Sequence, residues 1–127
     1  MPETNNILNV TLGRDACIWL FPSYEWTKVL KTVQSTNPYT GDEVSMRRQM
    51  LFHANELLID SQHRILIPQD LLKIVGIKKE ILMIGQLERI EVWDPAVYDK
   101  YIAGENESYE GVMQKVMTKL FDNNTGG

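Results

Sequence analysis

The sequence predicts a small α+β domain of β-hairpins that each run into a helix, and three observations carry that reading. Two hairpin-plus-helix units recur at an offset of 74 residues, placing Ile7 against Ile81, Val10 against Ile84, Ile18 against Val92 and Trp19 against Trp93. Between them, residues 56–76 read as strand, polar turn, strand, proline stop and short helix. No apolar run approaches the length of a membrane span.

The first hairpin covers residues 7–21, two apolar strands about a turn at Gly13-Arg14-Asp15. Pro22 ends the second strand. Ser23 can cap a helix with Trp26, Val29, Leu30 and Val33 on one face. Asn37-Pro38 breaks that helix, because the residue before a proline disfavours the helical region. A second helix is predicted from about Glu43 to Ala54, with Val44, Met50, Leu51 and Ala54 available for packing and Arg47 and Arg48 in its middle. In the central stretch, Leu57, Leu58 and Ile59 lead to the polar turn Asp60-Ser61-Gln62-His63. Arg64 then opens a second apolar run over residues 65–67. Pro68 cannot donate to a ladder and should stop it. Leu71, Leu72 and Val75 follow at helical spacing, with Gly76 placed to end the helix.

Residues 81–85 and 90–93 form the second hairpin, around Gln86-Leu87-Glu88-Arg89. Asp94-Pro95 is a strong helix start, an acid at the cap with proline in the first helical position. That helix ends at Gly104. Residues 104–110 read as a loose polar linker. Val112, Met113, Val116, Met117 and Leu120 make one face of a short final helix, which is a candidate interface or packs on its own protomer. The tail, residues 122–127, is predicted to be disordered.

At 127 residues the chain can bury one core, or two small intertwined halves. Its net charge is −4 and its pI about 5.1. A protein that coats DNA generally is basic, so any nucleic-acid contact here must come from a local patch. Cys17 is the one cysteine, which excludes an intrachain disulfide and points to a reducing cytoplasm. The first residues lack the basic and apolar regions of a signal peptide. The repeat is also lopsided. Only the second unit is preceded by an element carrying Asp60 and Arg64, and the same offset would put the first unit's counterparts ahead of Met1. The chain reads as one and a half copies of a two-copy design.

Four stretches carry a resemblance. They are Asp-Ala-Cys-Ile-Trp-Leu-Phe-Pro-Ser-Tyr-Glu-Trp at 15–26, Asn37-Pro38 with Leu51-Phe52, Leu-Ile-Asp-Ser-Gln-His-Arg-Ile-Leu-Ile-Pro at 58–68, and Ile-Glu-Val-Trp at 90–93 with its helix. In that order, over roughly residues 7–103, the chain resembles the MraZ family. These are bacterial transcriptional regulators of the division and cell-wall cluster, built from two tandem SpoVT-AbrB-type repeats. The resemblance implies a swapped-hairpin β-barrel (AbrB-like, double-psi-like) with short flanking helices and an incomplete first repeat. On it, residues 1–36 are the C-terminal half of a first AbrB-like repeat and 37–55 a connecting loop and helix. Residues 56–103 are the second repeat, and 104–127 the linker, short amphipathic helix and tail. Two departures stand out: the first Asp/Arg turn is absent, and His63 occupies a position where the family turn usually has glycine. Glycine would ease a positive φ there; His63 either tolerates that conformation or marks a relaxed turn.

The resemblance implies that Arg64 faces DNA, where a guanidinium can bridge phosphates or read guanine. A structural pair with Asp60 is the other reading, and the two can coexist. Asp60 and His63 read as structural turn residues, since a carboxylate repels phosphate and accepts backbone N–H bonds well. Arg47, Arg48 and Lys73 are candidate supports, with Lys78 and Lys79 beside them. His53, His63 and Cys17 show no ligand spacing, so neither a metal nor another cofactor is expected. Trp19, Trp26 and Trp93 are candidate stacking platforms for single-stranded bases, but their matching positions in the two units argue instead for core packing. No nucleophile–base pair, phosphate loop or paired-carboxylate motif marks an enzyme or a small-molecule substrate. The implied partners are double-stranded DNA with promoter repeats and further copies of the chain in a ring, in the cytoplasm at the nucleoid, with no membrane. A diverged or truncated paralogue acting as a scaffold is the rival reading, and an antitoxin-like AbrB relative a weaker third.

Overall fold

The computed structural model describes residues 6–104 and 108–125. Its centre is a five-stranded antiparallel sheet in the order β3-β1-β2-β5-β4. The strands are β1 (Ile7–Leu12), β2 (Ile18–Pro22), β3 (Asn55–Leu58), β4 (Leu82–Gly85) and β5 (Ile90–Trp93). Helices α1 (Ser23–Gln34) and α2 (Gly41–Phe52) lie between β2 and β3, α3 (Gln69–Ile74) between β3 and β4, and α4 (Pro95–Ala103) and α5 (Tyr109–Thr125) at the end.

The two hairpins meet along β2 and β5, where Ile18 faces Val92, Trp19 faces Glu91 and Leu20 faces Ile90. One sheet face buries Val10, Ile18, Leu20, Leu57 and Val92 under Leu71 and Val75 of the α3 region. Ile65 and Ile67 pack at the margin of this core. Fully burying one such side chain contributes about 1.5–3 kcal/mol, so this cluster dominates the fold's stability. On the opposite face Thr11 is fully buried and donates its hydroxyl to the Met50 carbonyl at 2.6 Å, tying α2 to β1.

Local chemistry sets several boundaries as the residues predict. Asp94 caps α4, its carboxylate accepting from the N–H groups of Ala96 (2.9 Å) and Val97 (3.3 Å), with Pro95 in the first helical turn. At the end of α3, Gly76 has φ +76°. Its N–H reaches the Lys73 carbonyl (3.2 Å) and the Ile77 N–H reaches that of Leu72 (2.9 Å), so two otherwise orphaned carbonyls are satisfied.

Other expectations are corrected. The sheet is open rather than a closed barrel. The apolar run 65–67 joins no ladder, and among the described residues no strand closes the sheet from β3 round to β4. Ser23 is the first residue of α1, not its cap; Pro22 stands at the cap position without a side-chain bond. On α1 Val33 is buried, while Leu30 is 40% exposed. Helix α2 begins at Gly41, and none of its residues is fully buried. Helix α5 continues to Thr125, so the backbone of residues 122–125 is helical where a disordered tail is predicted. Residues 126–127, and 105–107 of the predicted polar linker, lie outside the described residues.

The offset of 74 suits β2 and β5 but not β1 and β4. The first hairpin closes with Gly13 N–H on the Cys17 carbonyl, around three residues; the second closes with Gln86 N–H on the Arg89 carbonyl, around two. One residue of difference reverses side-chain facing in the leading strand. Met83, opposite Val92, therefore shares the face of Val10, and Ile84, opposite Glu91, does not.

Candidate nucleic-acid interface

Strand β3 delivers the polar turn to the surface. The Ile59 N–H bonds the Asn6 carbonyl at 2.8 Å, and the chain then reverses over residues 60–64. The Asp60 N–H donates to the Arg64 carbonyl at 2.9 Å, and the His63 N–H to the Asp60 carbonyl at 3.0 Å. The Asp60 carboxylate fills the inside of the turn. Its Oδ1 accepts from the N–H groups of Gln62 (2.8 Å) and Arg64 (2.9 Å), and its Oδ2 from Arg64 Nε at 3.3 Å. The bond from the Arg64 backbone N–H is the largest cause holding this carboxyl below its usual range. The Gln62 N–H and the Arg64 guanidinium add to it, and desolvation opposes it. His63 has φ +62°, so histidine adopts the left-handed conformation that glycine would fill, and the turn is not relaxed.

This geometry lets Arg64 serve two ends at once. Only Nε is engaged with Asp60, while the Nη nitrogens make no hydrogen bond among the described residues, and the side chain is 70% exposed. A guanidinium anchored at one edge, with its outer edge open, is pre-oriented for a planar acceptor such as a phosphate or the guanine O6/N7 pair. The ion pair itself is exposed and adds little stability. Beside it Leu58, Asp60, Arg64, Ile65 and Leu66 line a shallow cavity of about 390 Å³.

The candidate supports do not gather at this turn. Arg47 is half-buried and donates from Nη1 to the Thr36 carbonyl at 3.5 Å, bracing the loop after α1. Arg48 on α2 and Lys73 on α3 are exposed. No hydrogen bond or ion pair among the described residues links any of the three to residues 60–64. Lys78 and Lys79 share a cleft of about 440 Å³ with Lys100, a residue not singled out from the sequence; Glu80 and the capping Asp94 also line it.

Of the three tryptophans Trp93 is buried in the core, while Trp19 and Trp26 are half-buried. Trp93 is buried against Tyr98 (5.2 Å) and Tyr101 (5.5 Å), and its Nε1 donates to Glu91 at 3.1 Å. Trp26 packs on Phe21 at 5.5 Å. Trp19 lies under the Arg89 guanidinium, 4.4 Å from its ring, so one face of the ring is occupied. Arg89 in turn pairs with Glu88 at 2.7 Å. Its role was invisible in sequence, because the β2–β5 pairing that brings it over Trp19 is non-local. Cys17 is fully buried and donates its thiol to the Arg14 carbonyl at 3.1 Å; burial pushes that thiol up to about 12. His53 Nδ1 lies 3.9 Å from Asp70. Among the described residues no three His, Cys, Asp or Glu side chains are grouped to hold a metal, and no helix is long and apolar enough to cross a membrane.

Residues 50–118 match the family model of the MraZ protein, described as antitoxin-like. The transcriptional regulator MraZ of Acetivibrio thermocellus is 34% identical over 108 residues, which cover 84% of this chain and 75% of that one. That of Clostridium tetani is 35% identical over 108 residues, with the same shares covered. That of Cytophaga hutchinsonii is 27% identical over 115 residues, 91% of this chain and 76% of its own.

Proposed function

The chain belongs to the MraZ family, and on that premise we propose that it is a sequence-specific DNA-binding transcriptional regulator of the division and cell-wall gene cluster. The observation that carries the reading is Arg64, clamped through Nε by Asp60 at the tip of a hydrogen-bonded turn with its outer edge free. Each protomer offers one such turn, which is few contacts for an acidic protein. Assembly into a ring multiplies them, and several Arg64 side chains on one face engage repeated promoter sites by avidity. Arg48 and Lys73 add backbone contacts. Asp60 and His63 hold the turn, and Arg47 braces α2. The protein acts in the cytoplasm, at the nucleoid, without catalysing a reaction.

The test is fluorescence anisotropy on DNA from upstream of the protein's own operon, against scrambled DNA, over a salt series, with wild type beside Arg64→Ala. Binding that prefers the operator, weakens with salt and drops by about tenfold or more in the variant is the expected result. A folded wild type with no operator preference refutes it. A second reading, a scaffold that has lost promoter binding, is favoured by the net charge of −4 and would then lead.

A further inference from the structure

Helix α2 meets the first hairpin across a cleft rather than along a packed seam. Asp42, Ser45, Met46, Gln49 and Met50 fall on one face of the helix, and all five line a cavity of about 540 Å³. Its other wall is Leu12 at the end of β1, Gly13 and Arg14 in the turn after it, and Trp19 of β2. A surface helix ordinarily buries the face it turns to the fold. Here no residue of α2 is fully buried, and Met46 is 41% exposed. The space left between helix and hairpin falls in the range of small-molecule sites, about 300–1,000 Å³.

The lining also has the composition of such a site, an apolar surface with a few polar groups around it. Trp19, Leu12, Met46 and Met50 supply the apolar part. The indole is held firm, with Arg89 over its ring and Gly13 so close to its edge that a Cβ there would clash. The two methionines are unbranched and can mould to a guest. Arg14, Asp42, Ser45 and Gln49 are exposed, and none of them makes a side-chain hydrogen bond or ion pair among the described residues. One unpaired cation and one unpaired anion therefore border the same apolar surface. A simple anion would be repelled by Asp42 and a simple cation by Arg14, whereas a zwitterion satisfies both. We propose that this cleft binds a small zwitterion with an apolar or aromatic body, of the α-amino-acid type. Arg14 takes the carboxylate, Asp42 the ammonium, and the body lies against Trp19, Met46 and Met50. Bound there, the ligand bridges the turn to α2 and fixes a helix that packing holds only loosely. The site is separate from the Asp60–Arg64 turn, and its test contains no DNA.

The test is proton–nitrogen correlation NMR of the 127-residue protein, titrated with L-phenylalanine and L-leucine. Two further probes each lack one charge: 3-phenylpropionate has no ammonium and phenethylamine no carboxylate. The expected result is a saturable shift of the Trp19 indole N–H and of amides over residues 42–50, with each one-charge probe about tenfold weaker than L-phenylalanine. Arg14→Ala should weaken L-phenylalanine by about tenfold and not weaken phenethylamine. Asp42→Asn should do the same for L-phenylalanine and not weaken 3-phenylpropionate. Asp42 lies in the first turn of α2, so circular dichroism checks that this variant keeps its helix. Ser45→Trp starts from an exposed position, fills the cleft and should abolish the shift while the rest of the spectrum stays folded. No saturable shift in wild type up to the solubility limit of the probes overturns the proposal. So does equal affinity for L-phenylalanine and both one-charge probes, or a shift that survives in Ser45→Trp. Movement of the same resonances with protein concentration alone would assign the cleft to a protein contact and overturn it too.

Discussion

His63 offers the sharpest check on the turn. Its φ of +62° puts a side chain with a Cβ in the left-handed region, where an L-residue loses about 1–2 kcal/mol, less for histidine than for most. The ring is exposed and makes no hydrogen bond among the described residues, so removing it forfeits almost no packing. His63→Gly relieves the strain but loosens the unfolded chain, an opposing effect of about 0.5–1 kcal/mol. The net expectation is a gain of about 0.5–1 kcal/mol, or roughly 2–4 °C in Tm for a domain of this size. His63→Ala keeps the Cβ and hence the strain, and should stay within about 0.5 kcal/mol of wild type. Urea unfolding of the three proteins measures both, and anisotropy on operator DNA should find the glycine variant within about twofold of wild type. If alanine stabilises as much as glycine, or glycine destabilises by about 1 kcal/mol, the strain argument is wrong. If glycine abolishes DNA binding, the imidazole itself touches DNA.

Three further outcomes follow from the same geometry. Asp60, its carboxyl lowered in the fold, contributes stability that is complete above the ordinary aspartate range and is lost as pH falls through the lowered folded value. NMR titration should show Arg64→Ala raising that pKa only part of the way, because the larger backbone N–H contribution survives; full return to the ordinary value would contradict this. Cys17, raised to about 12, should resist a thiol reagent at pH 8 in the native protein and react at once in denaturant. Gly13→Ala would set a Cβ 2.5 Å from Trp19 Cδ1 and Nε1, and overpacking of this kind destabilises by about 1–3 kcal/mol, readable as a lower urea midpoint with altered tryptophan emission.

Much of this fold was legible where the signal is local. The Asp94-Pro95 cap and the glycine stop at Gly76 depend on backbone rules that operate within one turn. The first hairpin showed in its apolar runs and central turn. What escaped was non-local. Residues 65–67 carry every mark of a strand, but a ladder needs a partner, and the sequence contains no record of which edge is vacant. The single offset of 74 failed in β1 and β4 for a related reason, since one extra loop residue changes facing without changing composition. Helix α5 outran its apolar face because composition alone argued for a loose tail. At the candidate site, motif and spacing picked out Asp60 and Arg64, whose contact the structure contains. They could not reveal that Arg47 is engaged with Thr36, nor that Arg89 lies over Trp19.

The narrow seam between β2 and β5 also bears on how the molecule is made. Only three residue pairs join the hairpins there, and they bring together segments about 70 residues apart, so a long loop must close before the seam yields any contact. Each hairpin can form early by itself. The first must then wait, with Ile18 and Leu20 uncovered, until β5 has been synthesised far down the chain. Folding should therefore show a fast phase for the hairpins and a slower one for their docking, with Trp19 fluorescence following the second as Arg89 settles over its ring. During that interval the sticky surface is the future centre of the sheet. Productive folding is then a race between closing this seam within one chain and closing it between two.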